Sequence, residues 1–101
     1  MKDWKACERR IAKLLGGRRI PITGRQRGET PDIEHENLSI EVKSRKSLPA
    51  WLLDALSQAQ AASKEGKVPI VVLHQDRAPY AESLVVLRLK DYSEHLRGDM
   101  L

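Results

Sequence analysis

The stretch PDIEHENLSIEVK, residues 31–43, decides the fold that this sequence predicts. Apolar and polar side chains alternate along residues 31–35 and again along residues 38–43, which is the period of a β-strand. Glu36 and Asn37 separate the two segments, and asparagine tolerates the left-handed backbone of a tight turn. Residues 31–43 are therefore predicted to form a β-hairpin.

A two-residue turn sets the register of this hairpin. Ile33 then lies opposite Ile40, and Asp32 lies opposite Glu41. Because successive side chains of a strand point to opposite faces, the two isoleucines and Val42 share the core face. The other face carries Asp32, Glu34, Glu41 and Lys43. The hairpin of this basic chain thus gathers its carboxylates on one side.

The facing carboxylates of Asp32 and Glu41 need a positive charge between them. Like charges directly opposite each other destabilise a sheet by up to roughly 1 kcal/mol. A divalent cation removes that repulsion, and Mg²⁺ is typically held by one or two carboxylates together with water and phosphate oxygens. The main-chain carbonyl of Val42 offers a third oxygen, and Lys43 is expected to hold a water or the scissile phosphate. This group predicts metal-assisted phosphodiester hydrolysis.

The same side chains have a simpler interpretation. Acidic residues on one face of an edge hairpin are usually a solvated surface, and Lys43 is then a cross-strand ion partner. Exposed charge pairs are common and contribute little to stability. The alternation alone does not decide between the two interpretations.

Amphipathic helices are predicted before and after the hairpin. Residues 3–15 carry apolar side chains at helical spacing, and Gly16 and Gly17 end this first helix. The second helix follows Ser47, its predicted N-cap, and ends at Gly66.

The remaining segments complete a mixed domain. A short strand is predicted over residues 20–23, followed by a basic glycine loop. Two continuous apolar runs, residues 69–74 and 83–89, are predicted to be buried central strands, and residues 91–96 a short helix. This order predicts one α/β or α+β domain over residues 1–101, with a sheet that mixes parallel and antiparallel neighbours.

Composition narrows the classes of partner and compartment. The chain has 101 residues and a formal charge of +4, from 18 Lys and Arg against 14 Asp and Glu, which favours polyanionic partners such as nucleic acid. Cys7 is the only cysteine, so an internal disulfide is excluded and a reducing, cytoplasmic compartment is expected. The sequence has no run of about 18 apolar residues, so no membrane partner is expected.

The pair Pro31-Asp32, followed by Glu41-Val42-Lys43, resembles the motif of the PD-(D/E)xK nuclease superfamily. The neighbouring segments are similar to its Holliday junction resolvase-like and small phage-encoded branches. The resemblance covers most of the chain, from the early helix and basic loop through IEVKSRKSLPAWLLDALSQA to PIVVLH. It implies a restriction-endonuclease-like α/β fold, in which helices flank a mixed sheet of about four to five strands.

The resemblance also implies a chemistry. Members of the superfamily cut DNA or RNA with Mg²⁺ or Mn²⁺, and Asp32 and Glu41 correspond to the metal ligands, together with the carbonyl of Val42. Lys43 corresponds to the lysine that positions or activates the attacking water. The expected function is endonucleolytic cleavage of DNA, with branched DNA such as Holliday junctions among the substrates. A homodimer is expected, because two matched cuts need two-fold symmetry.

Two further residues enter through the resemblance alone. Glu8 corresponds to an acidic residue that supports the metal site from the first helix, and its alternative is a boundary residue whose carboxylate reaches water. Gln58 matches a glutamine that some branches place on the helix after the ExK motif, and its alternative is an ordinary exposed amide.

The basic loop before the hairpin and the run directly after it are expected to contact phosphates. The residues are Arg18, Arg19, Arg25, Arg27, Ser44, Arg45 and Lys46. Each of them singly is also an ordinary surface residue. Two rival functions stay open: a non-catalytic nucleic-acid-binding module with a nuclease-like fold, and a structural subunit whose acidic hairpin is surface decoration.

Overall fold

The computed structural model of the protein describes residues 4–21 and 31–96, where it contains both helices and strands. The elements in chain order are α1 (Trp4–Leu15), β1 (Arg18–Arg19), β2 (Ile33–Glu34), α2 (Ala50–Ala62), β3 (Val71–Leu73), a 3₁₀ turn (Tyr80–Glu82), β4 (Leu84–Val86) and α3 (Leu89–Asp91), which continues as a π-helical turn (Tyr92–Leu96). The predicted mixture of helices and strands is confirmed. The chain divides into two compact units, Met1–Lys46 and Ser47–Leu101, and a single domain over residues 1–101 stays a prediction.

Helix α1 ends where the glycine pair predicts. The N–H of Gly17 donates to the carbonyl of Ala12 at 2.8 Å, and the N–H of Gly16 donates to the carbonyl of Lys13 at 3.3 Å. These two bonds form a Schellman motif, which requires a left-handed residue, and Gly16 has a φ of 77°. The predicted first helix is thus confirmed over all its described residues.

The sheet of the first unit pairs β1 with β2 in antiparallel orientation, with Arg18 opposite Glu34 and Arg19 opposite Ile33. On the other side of β2, Ile33 forms a bridge with Ile40, which is the predicted hairpin register. The predicted second hairpin strand, residues 38–43, is otherwise wrong, since only this isolated bridge forms. Pairing stops beyond it because a side chain, the carboxylate of Asp32, takes the N–H of Val42 at 2.6 Å.

The core of the first unit lies between α1 and β2. Ile33 is fully buried, and Ala12 and Leu15 of α1 are 3% and 7% exposed. A Cβ on Gly17 would lie 2.6 Å from the carbonyl oxygen of Glu34 and 2.7 Å from Cγ2 of Ile33. Glycine is therefore required here for the close approach of the chain to β2.

The second helix begins and ends at other residues than predicted. Its N-cap is Pro49 and not Ser47, because the carbonyl of Pro49 accepts the N–H groups of Leu52 and Leu53 and no side chain caps the helix. It ends at Ala62 and not at Gly66, since Ser63 already has an extended backbone.

The two apolar runs of the second unit form an antiparallel pair, β3 and β4, with Val72 opposite Val85. They were predicted to be buried central strands, which is wrong: Val72, Leu84 and Val85 are 56%, 63% and 59% exposed. An apolar run of strand length fits either environment, so the pattern could not separate them. The described strands number four, within the predicted four to five, but they form two separate two-stranded antiparallel sheets and not one mixed sheet.

The short C-terminal helix is confirmed as α3 and the π-helical turn that follows it. Across residues 4–21 and 31–96, none of the helices combines the length and the apolar character that crossing a membrane requires.

Candidate functional site

Asp32 is held by the main chain on both sides. Its carbonyl accepts the N–H of Ile20 at 2.9 Å, and its own N–H donates to the carbonyl of Ile40 at 2.9 Å. Its Oδ2 accepts the N–H of Val42 at 2.6 Å. Asp32 is therefore bonded to both chain neighbours of Glu41.

These bonds determine how close Asp32 lies to the E-x-K segment. Because the nitrogen of Val42 is two covalent bonds from Cα of Glu41, Oδ2 of Asp32 lies within about 5 Å of that Cα. The Asp32 side chain is half-buried. Its Oδ1 accepts no hydrogen bond from any residue of the described ranges, so that oxygen keeps its acceptor capacity there.

Glu41 and Lys43 share the solvent face, as the alternation predicts. Their side chains are 62% and 64% exposed, and Nζ of Lys43 lies 3.8 Å from Oε2 of Glu41. Val42, which lies between them in the chain, and Ile40, which precedes Glu41, are half-buried. The hydrogen bond to Asp32 uses the N–H of Val42. The carbonyl of Val42, the predicted metal ligand, takes no part in that bond.

Glu8 lies in a buried ion pair with a residue that the sequence analysis assigned to phosphate. Arg19 donates from Nε to Oε1 of Glu8 at 2.7 Å, and the two side chains are 15% and 11% exposed. The guanidinium carbon of Arg19 lies 5.4 Å from the centre of the Trp4 ring. The alternative in which Glu8 reaches water is wrong, since the residue is only 8% exposed. The partners lie eleven positions apart in the chain, so no local spacing could have indicated this pair.

Within the described residues, the three predicted carboxylates do not form one cluster. Glu8, Asp32 and Glu41 form no group whose ligand atoms all lie within 4.8 Å of one another. Gln58 lies exposed on α2, in the second unit. The site that the structure assembles within the first unit consists of Asp32 beside the Glu41–Lys43 segment.

The predicted phosphate contacts differ in their surroundings. Arg18 is 80% exposed and donates from Nη2 to Glu34, and this hydrogen bond, with the opposite charge, raises the pKa of Arg18 above its usual value. Ser44, Arg45 and Lys46 are exposed in a segment without regular structure. Arg25 and Arg27, with their loop, lie outside the described residues.

His35 organises the hairpin turn, a role that the sequence analysis missed. Its Nδ1 accepts the N–H groups of Asn37 and Leu38 at 3.0 and 3.1 Å. Because Nδ1 is then an acceptor, the ring proton lies on Nε2, which donates to the carbonyl of Leu15 at 3.0 Å. His35 therefore ties the turn to the end of α1. A histidine directly before a turn was the available signal.

A second group with metal-ligand chemistry lies in the C-terminal helical segment. Ligand atoms of Asp91, Glu94 and His95 lie within 4.8 Å of one another, at helical spacings of three and four residues. Asp91 is buried and the other two are exposed. Acidic groups of this kind are common without an ion, so the geometry alone assigns no metal here.

Comparison with known proteins identifies no relative: no family model, no curated protein and no solved structure matches this chain.

Proposed function

We propose that the chain is a divalent-metal-dependent endonuclease of the restriction-endonuclease-like fold class that hydrolyses phosphodiester bonds in DNA. The observation that carries the proposal is the 2.6 Å hydrogen bond from the N–H of Val42 to Oδ2 of Asp32. This bond holds the aspartate of the motif against its E-x-K segment. Two further hydrogen bonds, from the N–H of Ile20 and to the carbonyl of Ile40, fix the backbone of Asp32.

The donor set fits Mg²⁺ or Mn²⁺. Both ions favour carboxylate, carbonyl and water oxygens, and Mg²⁺ usually takes only one or two carboxylates from a protein. Asp32 and Glu41 supply those carboxylates, with the carbonyl of Val42 as the further oxygen. The remaining positions suit water and a phosphate oxygen of the substrate. The bound ion would polarise the scissile phosphate and acidify a bound water.

Lys43 acts beside the carboxylates. Its ammonium group already lies 3.8 Å from Oε2 of Glu41, so it is within reach of a water or phosphate oxygen bound there. A positive charge at that point stabilises the negative charge that develops on the phosphate during in-line attack. The resemblance to the PD-(D/E)xK motif implies that the products carry a 3′-hydroxyl and a 5′-phosphate.

Branched DNA, such as a Holliday junction, is the proposed substrate. Resolving a junction needs two matched cuts, which a two-fold homodimer provides. Sedimentation velocity measures the mass of the assembly directly, and a monomer at all concentrations would contradict the dimer while leaving the single-site chemistry intact.

The proposal is tested by cleavage of branched, single-stranded and duplex DNA with Mg²⁺ and with Mn²⁺. Asp32→Asn keeps an oxygen that accepts the N–H of Val42 but removes the charge, and Lys43→Gln removes the ammonium group. We expect each to slow cleavage on the order of 100-fold, the size of losing one electrostatic group at a reacting centre. Binding, measured in EDTA, is retained.

Glu36→Gln is the matched control, since Glu36 is an exposed acid of the same hairpin. It should cut at the wild-type rate. Equal cleavage by all three variants overturns the assignment of Asp32 and Lys43. DNA binding without cleavage in any version indicates the non-catalytic module, and neither binding nor cleavage indicates a decorative hairpin.

A further inference from the structure

A shallow cleft of about 420 Å³ lies in the first unit where α1 meets β1. The described residues that line this basic cleft are Arg9, Ala12, Lys13, Gly17, Arg18 and Arg19. Four of them are basic and none of them is acidic. Arg18 and Arg19 are ion-paired with Glu34 and Glu8, so the uncompensated positive charge of the cleft comes from Arg9 and Lys13. Such a surface attracts polyanions.

Arg9 and Lys13 are the cations that the sequence analysis left without a role. They lie four residues apart on α1, about 6 Å along the helix axis and on the same face. Both are exposed, and neither forms an ion pair with a carboxylate anywhere in residues 4–21 or 31–96. Like charges at this spacing destabilise a helix, and a bound anion relieves that repulsion.

Arg19 contributes a cation whose orientation is fixed in advance. Nε donates to Glu8, and the Trp4 ring lies against the guanidinium group. A guanidinium group carries five N–H donors, and Glu8 receives the one on Nε. Glu8 thus acts as a positioning residue for Arg19, whose terminal nitrogens remain as donors at the wall of the cleft.

We propose that the basic cleft binds the phosphate backbone of a nucleic acid, with Arg9 and Lys13 contacting phosphates beside the positioned Arg19. A duplex presents a phosphate about every 3.4 Å of its axis on each strand, so two cations 6 Å apart can each meet one. Because the proposed contacts go to phosphates, which carry no sequence information, this binding is expected to be independent of sequence.

The lining favours nucleic acid over a lipid surface. A helix that binds an anionic membrane combines its cations with apolar side chains that enter the headgroup boundary. Here the only apolar side chain among the described lining residues is Ala12, which is 3% exposed. The proposal rests on the proposed function only for its class of partner, since it requires neither a metal ion nor cleavage.

The test measures binding of a short fluorescein-labelled DNA duplex in EDTA by fluorescence anisotropy over a series of salt concentrations. The double variant Arg9→Gln/Lys13→Gln should make the negative slope of log K against log salt shallower by about 1.8. It should also weaken binding on the order of 50-fold at about 0.1 M salt. The matched control is Lys64→Gln/Lys67→Gln, which removes two positive charges from exposed lysines of the second unit, outside the cleft. Circular dichroism verifies that both proteins are folded.

Three results overturn the proposal: an unchanged slope for the double variant, an equal loss in the control, or loss of binding to phosphatidylserine vesicles without loss of binding to DNA. The result is independent of the nuclease assay. If wild type binds DNA through Arg9 and Lys13 but cuts nothing with any metal, the basic cleft stands and the proposed nuclease fails. If cleavage depends on Asp32 while Arg9 and Lys13 have no effect, the reverse holds.

Discussion

The two units of the chain distribute their apolar and charged side chains differently. In the described part of the first unit, Met1–Lys46, three apolar side chains are buried, together with the carboxylate of Glu8. In the described part of the second unit, Ser47–Leu101, Leu56 is the only buried apolar residue, at 6% exposed. Eight of the ten large apolar side chains that are exposed in the described ranges belong to this second unit. The stability of the first unit therefore depends on the burial of apolar side chains, and the stability of the second unit depends on it much less.

The largest expected effect comes from truncating Ile33. We expect Ile33→Ala to destabilise the first unit by about 2–5 kcal/mol, because a fully buried side chain leaves a cavity in a small core. Val72→Ala is the matched change in the second unit and should cost much less, since Val72 is 56% exposed. Urea unfolding followed by tryptophan fluorescence separates the units, because Trp4 and Trp51 lie in different ones.

This experiment also tests the comparison itself. Trp51→Phe leaves Trp4 as the only fluorescent reporter, which follows the first unit. Trp4→Phe leaves Trp51, which follows the second unit. If Ile33→Ala shifts both reporters equally, the two units unfold as one cooperative domain. A shift confined to Trp4 would mean that the first unit unfolds separately.

The second effect concerns the buried ion pair. Glu8→Gln is expected to cost about 2–3 kcal/mol, because the charge of Arg19 remains in a mostly buried position without its partner. The double variant Glu8→Met/Arg19→Met should recover most of that loss, since apolar groups of similar volume often replace buried ion pairs. Denaturant unfolding of the wild type, Glu8→Met, Arg19→Met and the double variant completes the cycle. Additive losses in the double variant would show that the two side chains are not coupled.

The exposed pair of Arg18 and Glu34 supplies the contrast within the same sheet. These side chains are 80% and 58% exposed, so solvent screens their interaction. Glu34→Gln should leave the unfolding midpoint almost unchanged. A loss as large as that of Glu8→Gln would remove burial as the reason for the difference.

The third effect tests the close approach of Gly17 to β2. Gly17→Ala should cost about 2 kcal/mol, because its Cβ would overlap the main chain of Glu34 and Cγ2 of Ile33. Gly66→Ala in the second unit meets no atom within 4 Å but has a φ of 84°, so its cost of about 1 kcal/mol is backbone strain alone. Thermal unfolding compares the two, and equal losses would mean that the β2 contact relaxes freely.

The smallest effect is expected on the exposed sheet. Val85→Thr keeps the branched shape and replaces a methyl group that lies mostly in solvent, so the free energy of unfolding should change by less than about 0.5 kcal/mol. A larger loss would show that this side chain is buried in the assembled protein. Sedimentation velocity of the same variant reports whether that burial comes from self-association.

The local features of the fold could be predicted from the sequence. Helical spacing and the glycine pair predicted α1 and its end, because capping depends on residues adjacent in the chain. The alternation around Glu36 and Asn37 predicted the bridge of Ile33 with Ile40, because a slip of one residue would place the two isoleucines on opposite faces.

Features that depend on distant contacts could not be predicted in this way. The pairing of Glu8 with Arg19 joins a helix to a strand, and the exposure of Val72 and Val85 depends on what packs against the sheet. The early end of the second hairpin strand has a specific cause: the carboxylate of Asp32 competes for the N–H of Val42. A residue predicted for its chemistry therefore also altered the local structure.

The restraint of Asp32 has a consequence for how this surface can change over generations. Its backbone is fixed by neighbouring chain segments on both sides, whereas positions 41 and 43 carry side chains that mostly face water. Substitutions at those two positions therefore cost little in folding. Any reactivity that depends on them can be lost or regained by a single codon change, while the scaffold that presents the aspartate persists.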